Sequence, residues 1–328
     1  MSERRAISCF AAKSKDDAVL MASSSGGVFT ELAKVIISKG GVVVGAAWSN
    51  DFRIVKHICV DSLNELQQLR GSKYVRSDIT KMYALIGDHL ANGNCVLFVG
   101  VPCQVAAIKK KFPLETNLIC CALICHSCPD PKVWNRYVDE LESNAQSKIT
   151  GVEFRNKGLG WPNSLLQIQF ADETKNIECE LFKDPYAQAF GRGYSAGTSC
   201  LSCQFKNGNG GMDLTIGDFW GVEKISPDLV DEKGVSAIVV WTKCGQELVN
   251  HADVSKVAVT YDSIVAGNPY LVDSVHVDLR KRAIFQKGYF DDGVCAAVCK
   301  AEKVPFLLQS YLKVRRSLGN IARKLNLR

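Results

Sequence analysis

Residues 94–112, NCVLFVGVPCQVAAIKKKF, run from an apolar segment through a tight Gly-Val-Pro turn into a helix that ends in three lysines. A strand, a tight turn and a helix in immediate succession form the building block of an α/β fold. Pro102 fits the first helical turn. Cys103 is thereby set at a helix N-terminus, where the dipole favours the thiolate that nucleophiles and metal ligands require. The next buried strand, NLICCALIC (117–125), delivers Cys125 and His126 at its C-terminal end. In open α/β sheets that end is where ligands bind. His126 is the candidate catalytic group, able to move a proton or donate to sulfur; a packing role is its alternative.

The flanking sequence extends this pattern. Val28, Phe29, Leu32, Val35 and Ile36 recur at helical spacing behind Ser23, Ser24 and Ser25, which offer an N-cap, and Gly40–Gly41 ends that helix. VVVGAAW (42–48) and RIVKHICV (53–60) are strands; 61–69 and 78–91 are helices. Gly26 and Gly27 at the helix start admit an anion or cofactor to free N–H groups, or serve a plain cap. The loop RGSKYVRSD (70–78) combines small and basic residues, which suits a phosphate or a solvated turn. From about residue 149 the pattern becomes antiparallel: ITGVEFRNK, SLLQIQF and NIECELF are separated by turns. A helix over 184–195 leads to CLSCQFKNGNGGMDLTIGDFWG (200–221). The expected fold is α/β, a mixed sheet core with an antiparallel-rich second part and a C-terminal amphipathic helix.

The chain holds 14 cysteines, and MSERRAISCFAAKSKDD offers no apolar leader. The expected compartment is a reducing cytoplasm, where clustered cysteines read as metal or redox sites. Cys9, Cys59, Cys95, Cys179 and Cys244 stand alone and read as packed thiols. Cys125-x-x-Cys128 and Cys200-x-x-Cys203 together suit tetrahedral zinc or a cubane cluster, and spacing leaves both open. Cys295 and Cys299 share a helix face as further ligands or packed thiols. The net charge of +6 is carried by residues 301–328, which hold seven Lys/Arg and one Glu, so the body is neutral and has no general pull toward nucleic acid. Over 304–326, Leu307, Tyr311, Val314, Leu318, Ile321 and Leu325 form an apolar stripe opposite Lys313, Arg316, Arg323 and Lys324. Such a helix suits an anionic membrane surface, or packs on the body or a second copy.

SSSGGVFTELA, RGSKYVRSD, GVPCQVAAIK, LICHSCPDPKVW, FRNKGLGW, CLSCQFK and DLTIGDFWGVE occur in this order. Over about residues 8–290 the chain resembles the beta subunit family of the coenzyme F-420-reducing hydrogenases and dehydrogenases. That family also contains chlorophyll-modifying reductases and bacterial proteins of surface-polysaccharide gene sets. The resemblance implies an FAD-containing iron–sulfur oxidoreductase, with flavin loops in 1–93, cluster motifs in 94–290 and a basic tail in 291–328. It implies a [4Fe–4S] cluster on Cys103, Cys125, Cys200 and Cys203. Cys128 stands where relatives carry a small apolar residue and is the alternative fourth ligand, and Val101 replaces the usual Thr. For FAD the matching positions are Ser25, Gly26, Gly27, Gly71, Ser72, Lys73 and Tyr74; Asn156, Lys157, Asp218 and Trp220 match the other polar motifs. The implied partners are an electron-carrier protein or reduced deazaflavin and a small-molecule substrate, deazaflavin-like or a polysaccharide intermediate. The location implied is the cytoplasm, with peripheral contact at the inner membrane face through the tail; an oligomer is open. The competing readings are a non-enzymatic electron-transfer subunit and a zinc-stabilised binding module.

Overall fold

The structure, a computed structural model, describes residues 5–302. In chain order, β1 (Ser8–Ser14), α1 (Asp17–Met21), α2 (Val28–Ser38), β2 (Val42–Trp48) and β3 (Val55–Val60) are followed by α3 (Leu63–Leu66), α4 (Met82–Ala91), β4 (Val96–Gly100), α5 (Pro102–Lys111) and β5 (Leu118–Leu123). Then come α6 (Pro131–Ala145), β6 (Ile149–Asn156), β7 (Leu165–Phe170), β8 (Ile177–Glu180) and α7 (Pro185–Gly191). The described chain closes with β9 (Leu214–Asp218), β10 (Ser236–Val240), α8 (Lys243–His251), β11 (Val254–Ala258), α9 (Tyr261–Gly267), α10 (Leu279–Asp292) and α11 (Val294–Ala301).

Eight strands form one mixed sheet in the order β11-β1-β10-β9-β5-β4-β2-β3. The four strands β9, β5, β4 and β2 run parallel, and the flanking pairs are antiparallel. Strands covered on both faces read as continuous apolar runs, which is why VLFVG is buried throughout and LICCAL is buried but for its last residue. One face packs α2 and α8 through Val28, Leu32, Ile36 and Leu248 onto Val43, Leu97 and Ile119. The other packs α4 and α5 through Met82, Ile86, Val105 and Ile108 onto Val44, Phe98 and Cys120. Each such fully buried side chain contributes about 1.5–3 kcal/mol.

The antiparallel-rich part is a separate three-stranded sheet, β6-β7-β8. It shares a core with α6, α7, α10 and α11, centred on Trp134, Tyr137, Phe154, Tyr186 and Phe285. This unit is inserted between the parallel neighbours β5 and β9, so it returns the chain to the sheet beside its point of departure.

Helix boundaries differ from expectation where glycine intervenes. The helix expected behind Ser23–Ser25 begins at Val28, because Gly27 at its N-cap adopts a left-handed φ of 75°. Residues 23–26 form a loop, and Ser24 and Ser25 bond elsewhere in the fold. The expected helix over 61–69 is a single turn, α3, continued by a 3-10 turn at Gln67–Leu69. That over 184–195 stops at Gly191, before left-handed Gly193. The amphipathic segment 304–326 lies outside the described residues. Among the described residues no helix is long and apolar enough to cross a membrane.

Candidate functional site

The carboxyl ends of the parallel strands open onto a cavity of about 300 Å³. Val99–Val101 run off the end of β4, Leu123–Pro129 off the end of β5, and Ile216–Asp218 end β9 at its wall. The α1–α2 loop contributes Ser23, Ser24, Ser25 and Gly27, and the loop after α3 contributes Leu69 through Ser77. The two loops are pinned together, since the Ser72 backbone N–H donates to Ser24 Oγ at 2.8 Å and the two hydroxyls lie 3.0 Å apart. Lys73 folds its own loop by donating to the carbonyls of Leu69, Arg70 and Gly71 at 3.4, 2.8 and 3.2 Å. These partners are neutral, and burial pushes its pKa down to about 7. The Tyr74 ring stacks on Phe190 at 4.4 Å, and its carbonyl accepts from Tyr186 Oη at 2.6 Å.

Ser25, Gly27, Gly71, Ser72, Lys73, Tyr74 and Asp218 all line this cavity. Four other expected positions do not. A Cβ on Gly26 would lie 2.6 Å from the Ala12 carbonyl and 2.7 Å from the Ser236 nitrogen, so close backbone approach accounts for that glycine. Lys157 donates to the carbonyls of Leu20 at 2.6 Å and Ser25 at 2.8 Å, and to Lys233. It ties the α1–α2 loop down from behind, with its pKa lowered to about 8 by burial. Asn156 closes a turn by accepting from Gly158 N–H at 2.8 Å. Trp220 stacks on Trp161 at 4.7 Å beneath the Arg155 guanidinium. Arg155 also pairs with Asp218 at 3.2 Å, and Asp218 accepts from Trp161 Nε1 at 2.7 Å.

The cavity also takes Arg70 and Arg76 from the basic loop 70–78, and residues that sequence reasoning passed over: His57, Gln104 and Phe190. His57 is 3 % exposed, with Nε2 3.0 Å from the Val99 carbonyl. A carbonyl only accepts, so Nε2 carries the proton, and burial holds the ring neutral with a pKa near 4. His57 Nδ1 and Arg70 Nε are buried without a hydrogen-bond partner among the described residues. The signal for His57 was its place on a buried strand position, which an imidazole seldom occupies without a partner.

Against the same wall five thiols converge from three segments. Cys103 lies in the first turn of α5, Cys125 and Cys128 line the cavity after β5, and Cys200 and Cys203 bracket the end of a 3-10 turn over Thr198–Ser202. Two of the segments are zipped together: Gly197 N–H donates to the Cys128 carbonyl at 3.1 Å and Asp130 N–H to the Ser195 carbonyl at 2.9 Å. The Cys128 thiol lies among those of Cys103, Cys125 and Cys200, and its backbone N–H points at Cys200 Sγ, 3.4 Å away. These thiol contacts push the Cys128 pKa well up. The neighbouring Cys128 thiol lowers Cys103 to about 7. It also leads the causes that lower Cys200 to about 6, joined by backbone N–H groups and the Lys206 charge. Burial raises Cys203. Among the described residues no three potential ligands stand closed on one metal ion. The donor set is all sulfur, which fits a soft metal or an iron–sulfur cluster and does not fit a hard cation.

His126 packs edge-on against Tyr270 at 4.4 Å and Phe190 at 5.1 Å, with Nδ1 3.1 Å from Ser127 Oγ. Burial first, and Lys206 second, lower its pKa to about 4. Cys9, Cys120 and Cys121 are buried in the sheet, and Cys295 and Cys299 lie on α11, which packs on α6 and α7.

Two family models for the beta subunit of coenzyme F420 hydrogenase/dehydrogenase match the chain. The model of its C terminus covers residues 93–264, and the model of its N-terminal part covers residues 9–83. Among solved structures, the chain is similar to one in the xenon-derivatised F420-reducing [NiFe] hydrogenase complex from Methanosarcina barkeri. The two are 16% identical, the match covers 88% of this chain and 94% of that one, and the TM-score is 0.55. That likeness bears on the fold. No curated protein sequence matches.

Proposed function

The chain belongs to the coenzyme F420 hydrogenase/dehydrogenase beta subunit family, and we propose that it is an FAD- and [4Fe–4S]-dependent oxidoreductase that exchanges electrons between a partner carrier and a small substrate. The observation that carries this reading is the shared wall: Cys125 and Cys128 line the cavity on one side and face the other thiols on the other, where Cys128 N–H meets Cys200 Sγ at 3.4 Å. A group held in the cavity and a group held by the thiols would therefore be neighbours. Cys103, Cys125, Cys200 and Cys203 would hold the cluster, with Cys128 the alternative ligand. Ser25, Gly27, Gly71, Ser72, Lys73, Tyr74 and Asp218 would hold the flavin.

When bound, the flavin supplies two-electron chemistry and the cluster single-electron transfer. The protein's own residues bind, orient and exclude water. Small residues at 23–27 and 71–72 let a phosphate or ribityl chain approach the backbone closely. Leu123, Ile124, Val28 and Phe190 give the cavity an apolar wall for a flat heteroaromatic ring. Lys73, with a pKa near neutrality, can hold or release a proton at Nζ. His126 stays neutral at pH 7 and acts there as an acceptor or packing ring. The substrate is deazaflavin-like or a polysaccharide-biosynthesis intermediate, and electrons reach the chain from a separate carrier protein or reduced deazaflavin.

Anaerobic purification with iron, sulfide, zinc and flavin assays tests the reading. The expected outcome is bound FAD with about four irons per chain. The Cys103→Ser and Cys128→Ser variants then divide the ligand from the bystander, because only the ligand's loss removes iron. Zinc without flavin would sink the proposal and favour the binding-module reading.

A further inference from the structure

Lys206 stands three residues beyond Cys203 and is 6 % exposed. Its Nζ donates to the carbonyl of Cys125 and, at 2.7 Å, to that of Tyr270. Among the described residues no carboxylate lies within ion-pair distance of it. A buried ammonium held only by neutral carbonyls is costly, and buried charges are ordinarily paired. The groups around it that can take a negative charge are the thiols: its anchor, Cys125, stands on the wall where Cys128 N–H meets Cys200 Sγ at 3.4 Å, and Cys203 precedes it by three residues. Its bond to Cys125 fixes it to the strand end that carries a third thiol.

We propose that Lys206 is the built-in counter-cation of the thiolate centre, a positioning residue that sets how readily the centre takes up negative charge. The inference rests on the oxidoreductase reading and goes beyond it. Four thiolates around a metal centre carry excess negative charge, and net charge is among the determinants of an iron–sulfur potential. A fixed buried cation stabilises the more negative, reduced state. The step it biases is a gain of one electron; no bond to the protein breaks and no proton leaves Lys206.

Lys206→Gln keeps a donor for the two carbonyls and removes the charge, whereas Lys206→Arg keeps the charge. The anaerobically purified holo-proteins would be titrated with dithionite through mediators and followed by electron paramagnetic resonance. At the wild-type midpoint, Lys206→Gln is expected to show an oxidised-to-reduced ratio at least tenfold higher with iron content unchanged. Tenfold corresponds to a downward shift of about 59 mV for a one-electron couple. Lys206→Arg is expected to stay close to wild type. Coincident titrations of wild type and Lys206→Gln overturn the proposal, and so does an equal shift in both variants, which would assign the effect to the shape of lysine. If Lys206→Gln loses its iron, cobalt(II) titration of the metal-free chains decides. Binding at least tenfold weaker in Gln than in Arg supports the counter-charge, and equal weakening overturns it. If the wild type itself holds no iron or sulfide, the oxidoreductase reading fails, and the same cobalt(II) comparison still decides the role of Lys206.

Discussion

At the scale of single residues, the molecule buries His57 and Lys157 among neutral partners and half-buries Lys73 and His126 beside the cavity. His57 shows the consequence for stability. In the folded chain its pKa is lowered from 6.5 to about 4, whereas the unfolded chain takes up the proton below 6.5. Between those values the unfolded state binds more protons, so stability falls as pH falls through that window, by roughly 1.4 kcal/mol per unit for one such group. Urea unfolding of wild type at pH 7, 6 and 5 is expected to show this loss. His57→Phe, which keeps a ring against Phe98, should lose less over the same range. Parallel slopes for the two proteins would show that the proton uptake belongs to other groups. Residue-scale reading of the sequence was uneven for a physical reason. Gly27 and Lys73 face the cavity, but Gly26 and Lys157, in the same short motifs, serve backbone packing and carbonyl capping. Two residues in one motif can point to opposite sides of a loop, and spacing does not say which.

At the scale of elements, the site depends on how short segments are capped. Helix α7 delivers the chain to Cys200, and its N-cap Asp184 is fully buried. That carboxylate accepts from the N–H groups of Tyr186 and Ala187 at 2.8 and 3.2 Å and from Tyr137 Oη on α6. Asp184→Ala removes the cap and the acceptor of the Tyr137 hydroxyl, a loss of roughly 2–4 kcal/mol. The expected result is a lower melting temperature together with lower iron content, with Asp184→Asn in between. Full iron in Asp184→Ala would show that α7 does not position the cysteine turn. The elements legible in the sequence were those with one dominant signal. The continuous apolar runs of β2, β4 and β5 announced themselves, as did Pro102 at the start of α5. Ser8–Ser14 was not read as a strand, since SCFAAKS is marked only by its pairing with β10 and β11. Such pairing arises from segments more than 200 residues away and leaves no local trace.

At the scale of the whole molecule, the strand order decides which parts of the chain can exist alone. Residues 1–93 supply β1, β2 and β3, but β2 and β3 close one edge of the large sheet while β1 lies between β10 and β11 near the other. A chain ending at 93 therefore leaves β1 with neither of its partners and β2 without β4. A chain starting at 94 has a gap between β10 and β11 and an open edge on β4. Each gap exposes backbone N–H and C=O groups and apolar faces that the intact sheet covers. Separately expressed 1–93 and 94–328 are thus expected to lack a cooperative thermal transition. Co-expressed, they should copurify and recover one, because the pairings that define the fold run between them. Cooperative melting of 1–93 by itself would overturn this and mark residue 93 as a true domain boundary. The same topology explains why the cavity is complete only in the intact chain: Ser25 and Gly27 come from the first segment, Cys125, Cys128 and Asp218 from the second, and the sheet alone brings them to one wall.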